Sequence, residues 1–250
     1  MSVDPANYDC PPDLLRERII LITGASDGIG KALAIRVAQL GGQVILHGRS
    51  SGKLEAVHDE IASDRTLAKP SIAVMDLASA DAEAYKSLAA GIADEFGRLD
   101  GLVHNAGILG PRLSIEQYDA AEWQRVLHVN LTAVFALTQV CLPLLKASAD
   151  PSVVFSSSGV GRVGKAFWGA YAVSKFGIEA LSQILASENT HTNLKVNCIN
   201  PGPTRTKMRL AAYPAEDRGA LKAPEDILPG YLYLLGPDSA GVTGQSIDAQ

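Results

Sequence analysis

The sequence predicts an α/β fold: a single-domain, Rossmann-type, doubly wound parallel β-sheet with helices on both faces. Three observations carry this. Short runs rich in β-branched residues recur along the chain, and they are apolar throughout, as suits strands covered on both faces. Longer segments of helical period separate them, giving a repeated βαβ beat whose right-handed crossovers build an open sheet. The chain's 250 residues, 47% of them hydrophobic and 20% charged, suffice for one full core and show no linker or internal repeat.

Strands are expected over 19–23, 43–48, 71–75, 99–104, 152–156 and 194–199. Helices are expected over 29–40, 52–63, 81–96, 120–146 and 170–189. One dinucleotide-binding catalytic domain should therefore occupy 14–250, after an N-terminal tail at 1–13. The polar segment 203–224, rich in both charges, reads as a mobile substrate flap laid over the site. Doubly wound sheets bind ligands beyond the carboxyl ends of their strands, so functional residues should follow strands.

Charge and composition narrow the function. A formal net charge of -5 without any block of Lys or Arg argues against nucleic acid as a partner. The acidic, proline-rich opening has no apolar run of signal-peptide length, and 133–145, interrupted by Thr, Gln and Pro, is too short to span a membrane. Cys10, Cys141 and Cys198 form neither a CxxC pair nor a metal-ligand spacing, which fits packing roles, no metal and a reducing cytoplasm. Chemistry on a small molecule in the cytoplasm is the expectation.

The first strand runs into "TGASDGIG", with Gly24, Ser26, Asp27, Gly28, Ile29 and Gly30 forming the turn into the first helix. Glycine there lets backbone approach a pyrophosphate, while the helix offers free N–H groups and its positive dipole end. After the second strand, Gly48 and Arg49 stand where a carboxylate would grip a ribose 2′-hydroxyl. An arginine there pairs with a 2′-phosphate, so NADP(H) is favoured over NAD(H), although Asp27 in the loop opposes an extra phosphate. Asp76 and Leu77 follow the third strand, where the carboxylate can accept from an adenine amino group. The fourth ends in "HNAG", whose Asn105, Ala106 and Gly107 leave room for a nucleoside.

The fifth strand ends at "FSSSGVG", and Ser158 precedes Tyr171 by a glycine-rich loop. Tyr171 and Lys175 share one face of the following helix, in its first turns. A Tyr-x3-Lys match is weak by itself. Its place brings Ser158, Tyr171 and Lys175 to the end of the sheet where the cofactor is expected.

With "TGASDGIG", "NAG", Asn130, Ser158, "YAVSK" and "NPGPTRT", the chain closely resembles the short-chain dehydrogenase/reductases from about residue 14 onward. The "GVGR" and "WGAYA" stretches resemble one bacterial oxidoreductase group within that family. The resemblance implies hydride transfer between NADP(H) and a carbonyl or secondary alcohol, with Tyr171 as general acid or base. Lys175 would lower the phenol's pKa and hold the nicotinamide ribose, Ser158 would hold the substrate oxygen, and Asn130 would anchor a relay water. Pro201, Gly202 and Thr204 match the segment that closes on the nicotinamide, and a homotetramer or homodimer is implied.

Two departures stand out: His104 replaces a more usual asparagine, and the chain ends in "TGQSIDAQ". A catalytically silent dinucleotide sensor on the same fold is the alternative, since fold does not fix function. An enoyl reductase or epimerase fits less well, its tyrosine and lysine commonly being spaced differently. Arg162, Arg205, Lys207 and Arg209, expected near the mouth, make an anionic substrate conceivable, against the plainer reading of a solvated flap.

Overall fold

Strand faces alternate, so an apolar strand buried on both sides must feed two cores at once. In the computed structural model, which describes residues 4–250, β1 (Ile19–Thr23) does this: Ile20 and Ile22 enter one apolar cluster while Ile19 and Leu21 enter the other. β2 (Gln43–Gly48), β3 (Ser71–Val74), β4 (Gly101–His104), β5 (Ser152–Ser156), β6 (Lys195–Asn200) and β7 (Ser246–Asp248) complete the sheet. All seven strands pair in parallel in the order β3-β2-β1-β4-β5-β6-β7.

The order reverses between β1 and β4, which places the ligand crevice beyond their carboxyl ends. One face is covered by α1 (Gly28–Gln39), α2 (Ser51–Ala62) and, further along the chain, α8 (Leu228–Leu235). The other is covered by α3 (Ala82–Phe96), α5 (Ala133–Lys146) and α6 (Gly169–Glu188), with α4 (Ala120–Leu127) packed against α6. The short α7 (Lys207–Ala212) lies in the segment read as a flap.

The expected helix over 120–146 runs its full length, but not as regular α-helix. A π-helical turn, His128–Thr132, separates α4 from α5 and carries Asn130 into the interior, where its side chain bonds Ile108 and Ser174. The 120–146 stretch is long and apolar enough to cross a membrane, but Val134, Leu137, Cys141, Leu144 and Leu145 of α5 pack in the core. The first three residues of the expected tail lie outside the described residues. The rest of it lies against α8, with Tyr8 edge-on to Tyr233 and donating to Asp238 at 2.8 Å.

Candidate active site

The loop after β1 comes close to the end of β4, and glycine is required at two points. Gly24 has φ +68°, and a Cβ there would meet the Ala106 Cα at 3.0 Å. A Cβ on Gly30 would sit 2.2 Å from the Gly24 carbonyl oxygen. Asn105 fixes this approach, donating from its side chain to the Thr23 carbonyl at 3.1 Å, while Thr23 Oγ1 accepts from the N–H groups of Asn105 and Ala106.

A trough runs from this junction in three connected spaces. The first, of about 400 Å³, is lined by Ser26, Arg49, Lys53, Asp76, Leu77 and the orphaned ring of His47, among others. His47 is 1% exposed, and among the described residues neither ring nitrogen finds a partner. The second, of about 250 Å³, shares Gly24, Asp27, Ala106, Gly107 and Lys207 with the first and adds Gly28, Ile29, Asn105, Tyr171, Lys175 and Pro201. The third, of about 280 Å³, opens beside Ser158, Tyr171, Gly202 and Thr204 and is walled by Leu109, Val160, Trp168, Met208 and Tyr213. Burial of the His47 and His104 imidazoles disfavours their charged forms, pushing them down to about 4 and about 3.

At the junction of the second and third spaces α6 presents Tyr171 and Lys175, each under a tenth exposed. Ser158 lines the same space as the phenol, and Lys175 Nζ donates to the Ser156 carbonyl at 2.6 Å while standing 5.7 Å from the Tyr171 ring centroid. Asn130 Oδ1 accepts from Ile108 N–H at 2.8 Å, its Nδ2 donates to the Ile108 carbonyl at 2.9 Å, and Ser174 on α6 takes a further bond. A Cβ on Gly107 would lie 3.3 Å from Asn130 Oδ1 and 4.0 Å from Lys175 Nζ, which places Gly107 beside both side chains. The four residues are thus brought together.

The sequence model of the short chain dehydrogenase family matches residues 18–217. The chain belongs to that family. It is 49% identical to the Escherichia coli K12 oxidoreductase YciK over 98% of this chain and 96% of the relative. A solved structure of E. coli YciK superposes with a TM-score of 0.95 at 48% identity, covering 98% of this chain and 99% of that one. A short chain dehydrogenase from E. coli CFT073, solved in complex with NADPH, matches at a TM-score of 0.94 and 49% identity over 96% and 100% of the two chains.

The lining of the trough is of a kind that a dinucleotide would need. The glycine turn forms a cradle that a Cβ would fill, and the unpartnered His47 nitrogens lie at the opposite end from Tyr171. Among the described residues neither Arg49 nor Lys53 enters an ion pair, so both face the first space with free charge. Lys53 was not singled out in the sequence, although it lies four residues past Arg49 in the opening turn of α2. Asp27 no longer opposes a phosphate: it accepts from Gly28 N–H and pairs with Lys207 of α7, which holds its carboxyl below the usual range.

Three expectations need correction. Arg162 is not at the mouth; it pairs with Asp248 at 2.8 Å and donates to Ser246 Oγ and the Ile247 carbonyl, which turns it toward β7. Arg209 is at the mouth but is held by Glu216 and stacked over the Tyr213 ring; Lys207 lines the first two spaces but is paired with Asp27, and Arg205 lines a neighbouring cleft outside α1. The Tyr171 phenol is also not lowered here. Burial pushes it up to about 12 against the opposing effect of Ser158, and burial takes Lys175 down to about 8. Lys175 Nζ is turned onto the Ser156 carbonyl.

Proposed function

We propose that this short chain dehydrogenase transfers a hydride between NADP(H) and a carbonyl or secondary alcohol, with Tyr171 as the proton donor in reduction. The observation that carries the reading is the meeting of Tyr171, Ser158 and Lys175 where the cofactor trough joins a third space of mixed polar and apolar lining. The cofactor supplies or accepts the hydride. Ser158 orients the substrate oxygen beside the phenol. A phenol held protonated at neutral pH is ready to give its proton to a developing alkoxide. Lys175, charged below about 8, stabilises the phenolate left behind, and Asn130 extends the path by which the proton is replaced.

NADP(H) is preferred over NAD(H) because Arg49 and Lys53 offer two free cations, with no carboxylate at the end of β2. Oligomerisation through α5 and α6 is supported by Phe135, Val173, Phe176 and Ile184, large apolar side chains exposed on those two helices. The test follows nicotinamide absorbance across a panel of ketones and secondary alcohols with both cofactors, for wild type and Tyr171→Phe. Turnover by wild type and not by the variant is the expected result. Binding of NADPH with no turnover of any panel member would favour the sensor reading instead.

A further inference from the structure

Tyr171, Lys175 and Glu179 lie at i, i+4 and i+8 on α6, in one stripe facing the end of β5. They engage three consecutive serines. Tyr171 meets Ser158, Lys175 takes the Ser156 carbonyl at 2.6 Å, and Glu179 accepts the Ser157 hydroxyl at 2.5 Å. Nothing in the reaction described above uses Glu179, yet it is a carboxylate only 8% exposed. A buried charge of this kind is costly unless it is bonded and compensated.

Its compensation comes from several elements. The same oxygen, Oε1, accepts from Ser246 of β7 at 2.9 Å and lies 3.7 Å from Arg162 Nε. Arg162 continues to Asp248, which also accepts from Asn200 at the end of β6 at 2.8 Å. One carboxylate therefore joins the serine-bearing end of β5 to α6 and to the last strand. We propose that Glu179 is a positioning residue, fixing segment 156–158 and favouring the ammonium form of Lys175 without itself touching the reacting atoms.

The charged and titratable groups around this pair are few. Glu179 faces Arg162 from the loop after β5, Cys198 from β6 and Lys175 from its own helix. Lys175 faces Glu179, Cys198, Tyr171 and, from β4, His104. Burial keeps Cys198 and His104 in their neutral forms at pH 7. Glu179 is the carboxyl group one turn along α6 from Lys175, and replacing it with an amide should move the lysine's titration to lower pH.

The inference rests on the proposed reaction, but its test is independent of turnover. Lysine is labelled with ¹⁵N, the Lys175 signal is assigned with Lys175→Met, and its titration is followed in wild type, Glu179→Gln and Ser157→Ala. Thermal unfolding and the NADPH dissociation constant serve as controls. Glu179→Gln should lower the Lys175 midpoint by about one unit, a tenfold change in its proton affinity. Ser157→Ala should leave that midpoint in place. On any ketone reduced by wild type, both variants should lose about tenfold in kcat with KM within about twofold, the pattern of a lost transition-state interaction.

A folded, NADPH-binding Glu179→Gln with an unmoved Lys175 midpoint overturns the inference. Should that variant fail to fold, Glu179→Gln combined with Arg162→Met removes both charges of the pair and is read the same way. A wild type that turns over no panel member defeats the proposed reaction alone, since the titration still decides the role of Glu179.

Discussion

The two ends of the trough handle charge in opposite ways. Where the adenosine half of the cofactor is expected, Arg49 is exposed, and the side chains of the Asp27–Lys207 pair are 48% and 78% exposed. At the other end Tyr171, Lys175 and Glu179 are each under a tenth exposed and held by the end of β5. Water screens the first set, so its contribution is affinity that salt can remove. It scarcely reaches the second, where burial moves a phenol up to about 12 and an ammonium down to about 8. Affinity and protonation state are thereby set at separate places.

The largest effect belongs to the dry end. Tyr171→Phe keeps the ring that packs beside Trp168 and removes only the hydroxyl, so kcat should fall by about a thousandfold. The NADPH dissociation constant, measured by fluorescence titration, should hardly change. A variant that lost affinity as well as rate would break the separation of the two ends.

Gly30→Ala probes the junction between them. Its Cβ would lie 2.2 Å from the Gly24 carbonyl oxygen and 2.5 Å from Asn105 Nδ2, and the first of these neighbours is backbone. The turn must move, and NADPH should bind about a hundredfold more weakly if a few hydrogen bonds to the phosphates are lost. Calorimetric titration of folded variant protein checks this. The reacting groups on α6 are untouched, so saturating cofactor should restore most of kcat.

Much of this was readable from the sequence because the physics is local. β1, β2 and β5 occupy the expected residues, since continuous β-branched runs bounded by glycine and polar turns leave little freedom in assignment. Ser158, Tyr171, Lys175 and the glycine turn were readable because each follows a strand, where the crevice must lie. The rest depends on contacts remote in the chain. β7 is three residues long, two of them polar, and α8 is apolar on every side, so neither has a periodic signature. The π turn at Asn130 exists because its amide finds Ile108 and Ser174, and pairing alone can turn Arg162 from the mouth to β7. The elevation of the Tyr171 phenol required knowing how completely it is buried.

Two buried histidines carry the comparison into stability. His47 lies beneath the adenosine end, and His104, stacked on Phe155 and bonded to Thr138 at 2.8 Å, lies toward the catalytic end. Their folded-state values, about 4 and about 3, are below the ordinary 6.5, so the unfolded chain binds more protons between those limits. Stability should therefore be full above pH 6.5 and fall as the pH drops toward 4. At pH 5 the loss is about 2 kcal/mol for each histidine. Urea unfolding at pH 7 and pH 5 measures it, and His104→Asn should remove about half of the difference.

The smallest effect sharpens the comparison most. Arg49→Gln removes an exposed cation from the rim of the first space while leaving β2 and the glycine turn intact. If Arg49 meets a 2′-phosphate, NADPH should bind about tenfold more weakly at low salt, the size of one charge-assisted contact, while NADH affinity stays unchanged. Because the site is open to water, that tenfold should shrink toward twofold as ionic strength is raised and the Debye length falls. The change produced by Glu179→Gln, made where water is excluded, should not respond to salt in this way. Measuring both variants across the same salt series tests the division directly: equal salt dependence would show that the two ends share one dielectric environment. An unchanged NADPH affinity in Arg49→Gln would instead pass the 2′-phosphate to Lys53, the other free cation at that end.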